Sequence, residues 1–126
     1  MATVAPDLLR TRAYVDGEWI DADDRATFPV LNPATGETVA DVPRLGAAET
    51  RRAIEAAARA LPEWRGRTAK ERACALRRLA TLMADHEEEL ASLMVLEQGK
   101  PLAEARVEIG YALSFYEWFA EEAKHS

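Results

Sequence analysis

The chain has 126 residues, 48% of them hydrophobic and 30% charged, which is the profile of one globular domain with a modest core and not of a disordered segment. Its 16 basic and 22 acidic side chains leave a net charge of −6, which argues against nucleic acid as a partner, and no apolar run approaches the length of a membrane span. A single cysteine, Cys74, excludes an internal disulfide and fits a reducing cytoplasm, and the stretch Met1 to Arg12, with Asp7 and no apolar core, does not read as a secretory signal.

Met1 to Thr11 has no clear period and reads as a loose arm with a turn of helix around Asp7 to Arg10. In Tyr14-Val15-Asp16-Gly17-Glu18-Trp19-Ile20, β-prone residues flank Asp-Gly, the pair that favours a two-residue type I′ hairpin turn. Thr27 to Leu31 reads as a strand, pushed to an edge by Pro29. Asn32-Pro33-Ala34-Thr35-Gly36 is turn chemistry, and Glu37 to Val42 returns as the next strand.

From Ala47 the period becomes helical. Ile54, Ala57, Ala58 and Leu61 recur at one-face spacing, with Pro62 expected to end the helix and Trp64 to pack in the turn that follows. Thr68-Ala69-Lys70-Glu71 is a capping box, followed by a buried stripe at Leu76, Leu79, Ala80 and Met83. Asp85-His86-Glu87-Glu88 resembles a second helix start with acids in its first turn, and the pattern leaves open whether Ala69 to Gln98 is one kinked helix or two. Gly99 suits the left-handed residue that closes a helix, and Pro101 the first turn of the next.

The last helix, from Leu102 to about Lys124, is apolar on most of its circumference. One stripe is Leu102, Ala105, Ile109, Ala112, Leu113, Tyr116 and Ala120; another is Val107, Tyr111, Phe115, Trp118 and Phe119. Such a helix needs cover on most sides, more than short strands and two or three amphipathic helices supply, so the chain reads as a part of something larger. The fold class expected for it is α+β: N-terminal antiparallel hairpin strands over about 13–42, then about four packed helices over about 47–124.

These elements, in this order, resemble the N-terminal part of the aldehyde dehydrogenase superfamily. The likeness runs from about Ala13 to the end of the chain. It rests on the Val15 to Trp19 hairpin, the Val30 to Glu37 turn, the alanine-rich helix ending Leu61-Pro62-Glu63-Trp64, and Leu96-Glu97-Gln98-Gly99-Lys100-Pro101. Thr68 to Arg72, Leu96 to Ala105 and Glu117 to Glu122 look most like succinate-semialdehyde dehydrogenases. The resemblance implies NAD- or NADP-dependent oxidation of succinate semialdehyde to succinate, with a cysteine thiolate attacking the aldehyde and a glutamate activating water. It also implies the outer part of a cofactor-binding domain, a partner in the remainder of a dehydrogenase chain, and a homo-oligomer. The family's nucleophile, general base and dinucleotide contacts lie beyond residue 126, so the chain alone is expected to be inactive and to bind no cofactor.

The resemblance assigns two sets of residues. Val107 and Tyr111 lie on the helix face that borders the aldehyde entrance tunnel in relatives. The carbonyls of Val30 and Leu31 and the carboxylate of Glu97 match positions that hold a monovalent cation in some members. Plain readings compete with both: aromatic residues at helical spacing are commonly core, and Glu97 is an acid at a helix end. Cys74 reads as packing, since free cysteine behaves as a small hydrophobe. His86 and His125 have no second ligand at helical spacing. Gln98 to Pro101 lacks the upstream glycine and following hydroxyl of a phosphate loop, which leaves Lys100 as a cation near a helix C-terminus. The rival to the enzyme is a non-catalytic interaction module whose binding surface is the aromatic face of the last helix.

Overall fold

A computed structural model describes residues 8–123 and 125. Strands β1 (Ala13–Val15) and β2 (Glu18–Ile20) form one hairpin, and β3 (Thr27–Leu31) and β4 (Thr38–Pro43) a second. Helices α1 (Ala47–Gly66), α2 (Ala69–Asp85), α3 (Glu87–Gln98) and α4 (Leu102–Glu122) follow, so the chain is α+β as expected. No helix among the described residues is long and apolar enough to cross a membrane. The arm read at Met1 to Thr11 lies partly outside the described residues; from Leu9 to Thr11 it carries no helix.

The first hairpin turns as its sequence dictates. Asp16 (φ 53°) and Gly17 (φ 82°) both take positive φ, as a type I′ turn requires, and Tyr14 faces Trp19 across the strands with ring centroids 5.0 Å apart. In the second hairpin the Asn32 side chain accepts from the Ala34 amide at 2.9 Å and the Gly36 amide donates to the Asn32 carbonyl at 2.8 Å. The register slips between Val30 and Leu31, so Leu31 pairs with Thr38. Each sheet has two strands, which leaves every strand with one outer edge unpaired among the described residues.

The core is built on alanine. Among the described residues the buried apolar side chains are Ala22, Ala56, Ala73, Ala80, Ala91, Ala105, Ala120 and Ile109, so helices approach closely and larger side chains sit at the seams. Ala91, Ala105 and Ile109 join α3 to α4, with Leu90, Met94, Leu102 and Leu113 packed around them. α2 lies along the same helix.

Several sequence expectations change here. Pro62 does not end α1, which runs through it to Gly66. One ladder bond is lost at proline, but the final turn is held otherwise. Arg67 pairs with Glu63 at 2.7 Å and stacks 5.9 Å from the Trp64 ring, and Arg72 donates to the Arg67 carbonyl at 2.7 Å. Trp64 is therefore within the helix and not in a turn after it. The stripe of Ile54 and Leu61 is exposed, at 64% and 57%, because α1 turns its small residues Ala53, Ala56 and Ala60 toward the first hairpin. In α2 the inward face is Ala73, Leu76, Ala80 and Met83; Leu79 falls outside it, and so does Cys74, which is exposed and not packed.

The chain settles the open question after Ala69 as two helices. The break falls at His86, within the stretch read as a second helix start; His86 is the N-cap of α3, makes no side-chain capping bond, and is followed by Glu87, Glu88 and Glu89 in the first turn. At the head of α2 the capping box forms as read: the Thr68 amide donates to Glu71 Oε2 at 2.8 Å and the Glu71 amide to Thr68 Oγ at 3.3 Å. Pro101 stands one position before its expected place, as the N-cap of α4, where its carbonyl accepts the amides of Glu104 and Ala105.

Gly99 closes α3 at φ 71°, its amide bonded to the Val95 carbonyl at 2.8 Å. A Cβ there would lie 2.7 Å from Pro33 Cγ, so this glycine also lets the turn of the second hairpin rest on the helix corner. Gly99→Ala therefore meets two penalties, left-handed backbone and a clash. It is expected to cost about 1–3 kcal/mol in denaturant unfolding, against about 1 kcal/mol for Thr68→Ala, which removes only a cap.

Four carboxylates are held below the usual range. Glu49 accepts the backbone amide of Asp23 and, next, its own; Asp23 is held by the Arg52 guanidinium, Glu71 by the Thr68 hydroxyl and amide, and Glu88 by Arg106. A carboxyl whose folded pKa lies below its unfolded one stabilises the native state fully above its ordinary range. That contribution fades as pH falls through the lowered folded value. Unfolding midpoints are expected to hold from neutral pH to about pH 5 and to drop below it, and Glu49→Gln, which removes the buried member, to flatten that drop.

Candidate functional site

The last helix offers the largest uncovered surface. Its inner side buries Ala105, Ile109 and Ala120, and its outer side carries Val107 (71% exposed), Tyr111 (66%), Phe115 (46%), Trp118 (64%) and Phe119. This is the uncovered perimeter expected from the sequence. Tyr111 and Phe115 are four apart on one face and meet edge-to-face with centroids 4.8 Å apart, which stiffens the ridge without hiding it.

Charged pairs fix the helix that carries this face. Arg106 grips Glu88 with two hydrogen bonds of 2.6 and 2.7 Å, tying the second turn of α4 to the first turn of α3. Lys100 pairs with Glu108, so it is engaged by an acid of the next helix and not by the end of α3. Arg77 of α2 stands 3.8 Å from Glu121 near the far end.

Below the aromatic ridge lies a cleft that the sequence did not signal. Trp64, Arg72, Leu76, Phe115, Tyr116 and Phe119 line a volume of about 560 Å³. Trp64 comes to α4 because α1 continues past Pro62; a turn at that proline, as the sequence suggests, would direct it elsewhere.

The expected cation ligands fall on β3 and α3, whose C-terminal ends come near each other where Pro33 lies against Gly99. Val30 is half-buried and Leu31 half-exposed on β3, while Glu97 is exposed on the last turn of α3. Leu96, next to Glu97, shares a cleft of about 200 Å³ with Asn32, Glu37, Thr38 and Val39. Glu97 makes no ion pair among the described residues, and these contain no group of three or more His, Cys, Asp or Glu side chains placed to hold a metal. Two carbonyls and one solvated carboxylate fit at most one side of a monovalent cation's shell. No glycine-rich turn that could cradle a dinucleotide phosphate occurs, since the six glycines stand apart along the chain.

Paired hairpins, four helices and an aromatic ridge left uncovered among the described residues make an α+β segment. The chain belongs to the aldehyde dehydrogenase family, whose model it matches over residues 19–126. It is 64% identical over 93% of its length to the glutarate-semialdehyde dehydrogenase of Pseudomonas aeruginosa. It is 58% identical over 94% to an NADP-dependent succinate-semialdehyde dehydrogenase of Escherichia coli. Among solved structures, the succinate-semialdehyde dehydrogenase of Burkholderia pseudomallei superposes with a TM-score of 0.91 at 56% identity, over 97% of this chain and 25% of that one. The chain spans about a quarter, 24%, of the length of the curated relatives it matches.

Val107→Asp is expected to leave the unfolding free energy of the chain within about 0.5 kcal/mol while reducing self-association seen by light scattering, because Val107, 71% exposed, stands at the open end of the ridge. Ile109→Ala, at the buried seam, is expected to cost about 2–4 kcal/mol in the same unfolding experiment.

Proposed function

We propose that this chain is the N-terminal segment of an NAD(P)-dependent dehydrogenase that oxidises the semialdehyde of a short dicarboxylic acid. Glutarate semialdehyde is placed first and succinate semialdehyde close behind. The observation that carries this is identity of 58–64% over more than nine-tenths of the chain to enzymes named for those two substrates. The nicotinamide would supply the hydride acceptor, and this segment would supply walls and not reacting groups. Cys74 is no candidate nucleophile: it lies outside every cleft described above, between Ala73 and Ala75 on α2.

Within that enzyme, Val107 and Tyr111 would border the path of the incoming aldehyde, and the rest of the ridge would lie against the remainder of the dehydrogenase chain. The carbonyls of Val30 and Leu31 with Glu97 would form half of a monovalent cation site completed by residues outside this chain, and the enzyme would be a homo-oligomer. The exposed ridge also supports the second reading, a non-catalytic interaction module.

The test is an aldehyde-oxidation assay, following reduction of NAD and of NADP, on the protein read through its whole frame beside the 126-residue chain. The longer protein is expected to turn over glutarate and succinate semialdehydes with kcat/KM at least about tenfold above that for acetaldehyde, and Tyr111→Ala to raise KM more than it lowers kcat. The shorter chain is expected to be inactive. Lack of turnover by the longer protein would favour the interaction module.

A further inference from the structure

We propose that the β1–β2 hairpin and the loop after it form a latch, fastened to α1 mainly by charge, which opens as a unit while α2–α4 remain folded. A two-stranded ribbon with three residues in each strand is not stable alone, so whatever holds it to α1 sets its population.

Apolar packing holds it weakly. The face of α1 beneath the hairpin presents Ala53, Ala56, Ala57 and Ala60, and a cleft of about 360 Å³ separates them from Tyr14 to Gly17. A second cleft of about 550 Å³ runs between β2, its loop and the edge of α1 that carries Arg52, Glu55 and Arg59. Ala22, Ala56 and Glu49 are sealed at this junction, two small side chains and one acid, and Glu49 is the one buried charged residue among those described.

Polar contacts do the fastening. The Asp23 amide donates to Glu49 Oε1 at 3.1 Å, while the other carboxylate oxygen accepts the Gly46 amide at 3.0 Å, so one side chain grips the loop and the start of the helix together. Arg52 holds the Asp23 carboxylate with bonds of 2.9 and 2.6 Å. Two turns further on, Arg59 reaches Asp16 in the hairpin turn at 2.9 Å. The charged groups facing this junction are Asp16, Glu18, Asp21, Asp23, Glu49 and Glu55, opposed by Arg52 and Arg59, with Arg12 paired to Asp21 at 3.3 Å. Acids outnumber bases here, so removing one guanidinium leaves repulsion as well as a lost bond.

Hydrogen exchange on the whole chain tests the latch, with the Asp23 and hairpin amides read against those of α4. In about 1 M salt, where screening acts within about 3 Å, the hairpin set is expected to exchange faster while α4 is unchanged. Arg59→Ala is expected to accelerate the hairpin set roughly two- to fivefold. Glu49→Gln, which turns an amide nitrogen toward one of the two N–H groups, is expected to do so about tenfold or more. Should Glu49→Gln unfold the chain, Arg59→Ala and the salt series still decide. Acceleration of α4 by the same factor, or none in the hairpin, would overturn the proposal.

Discussion

One residue fixes how the two halves of the chain meet. Gly99 must be left-handed to stop α3, and it must lack a side chain for Pro33 to sit against it. The first demand comes from the helix end, where the Val95 carbonyl would otherwise go unbonded; the second comes from a hairpin more than sixty residues earlier. Because both are met at one position, the direction in which α4 leaves and the place where the second hairpin lands are not independent. The short interval to Pro101 then launches α4 at once, with α2 and α3 against its inner side.

The buried layer explains why so slight a chain can hold three helices together. Alanines at 73, 80, 91, 105 and 120 let backbones approach, and Ile109 fills the seam that remains. Close approach brings many weak contacts but little apolar area per residue, so directed polar contacts carry a larger share of specificity than in a leucine-rich core. Arg106 on Glu88, Arg72 on the end of α1 and Glu49 on the Asp23 loop each lie where two elements must keep a fixed angle.

Local chemistry was legible from the sequence, and orientation was not. Asp16-Gly17, Asn32 to Gly36, the Thr68 box and Gly99 each announced their geometry because the deciding forces act within a few residues. The outward face of α4 was legible too, since a helix apolar nearly all round cannot be covered by few neighbours. Which face of α1 turns inward was hidden: an alanine-rich helix is apolar in several directions, and periodicity favoured the larger Ile54 and Leu61 over the alanines that meet the hairpin. Cys74 was misplaced by the same cause, being one step from the inward stripe of α2. α1 passes through Pro62 with its last turn held by the i,i+4 pair of Glu63 and Arg67 and by Arg72, where the proline alone pointed to a helix end. Of the site, the ridge could be read from spacing, but the cleft beside Trp64 exists only because three helices converge.

Among the described residues the two ribbons leave four strand margins without hydrogen-bond partners of their own. A bare margin is an invitation for another polypeptide to add itself, and evolution commonly spoils that invitation with imino acids or charge. Here Pro29 interrupts the donor row of β3, with Asp41 opposite it, and Glu18 flanks the turn side of β2. A missing amide and nearby carboxylates make these margins poor templates for an identical strand.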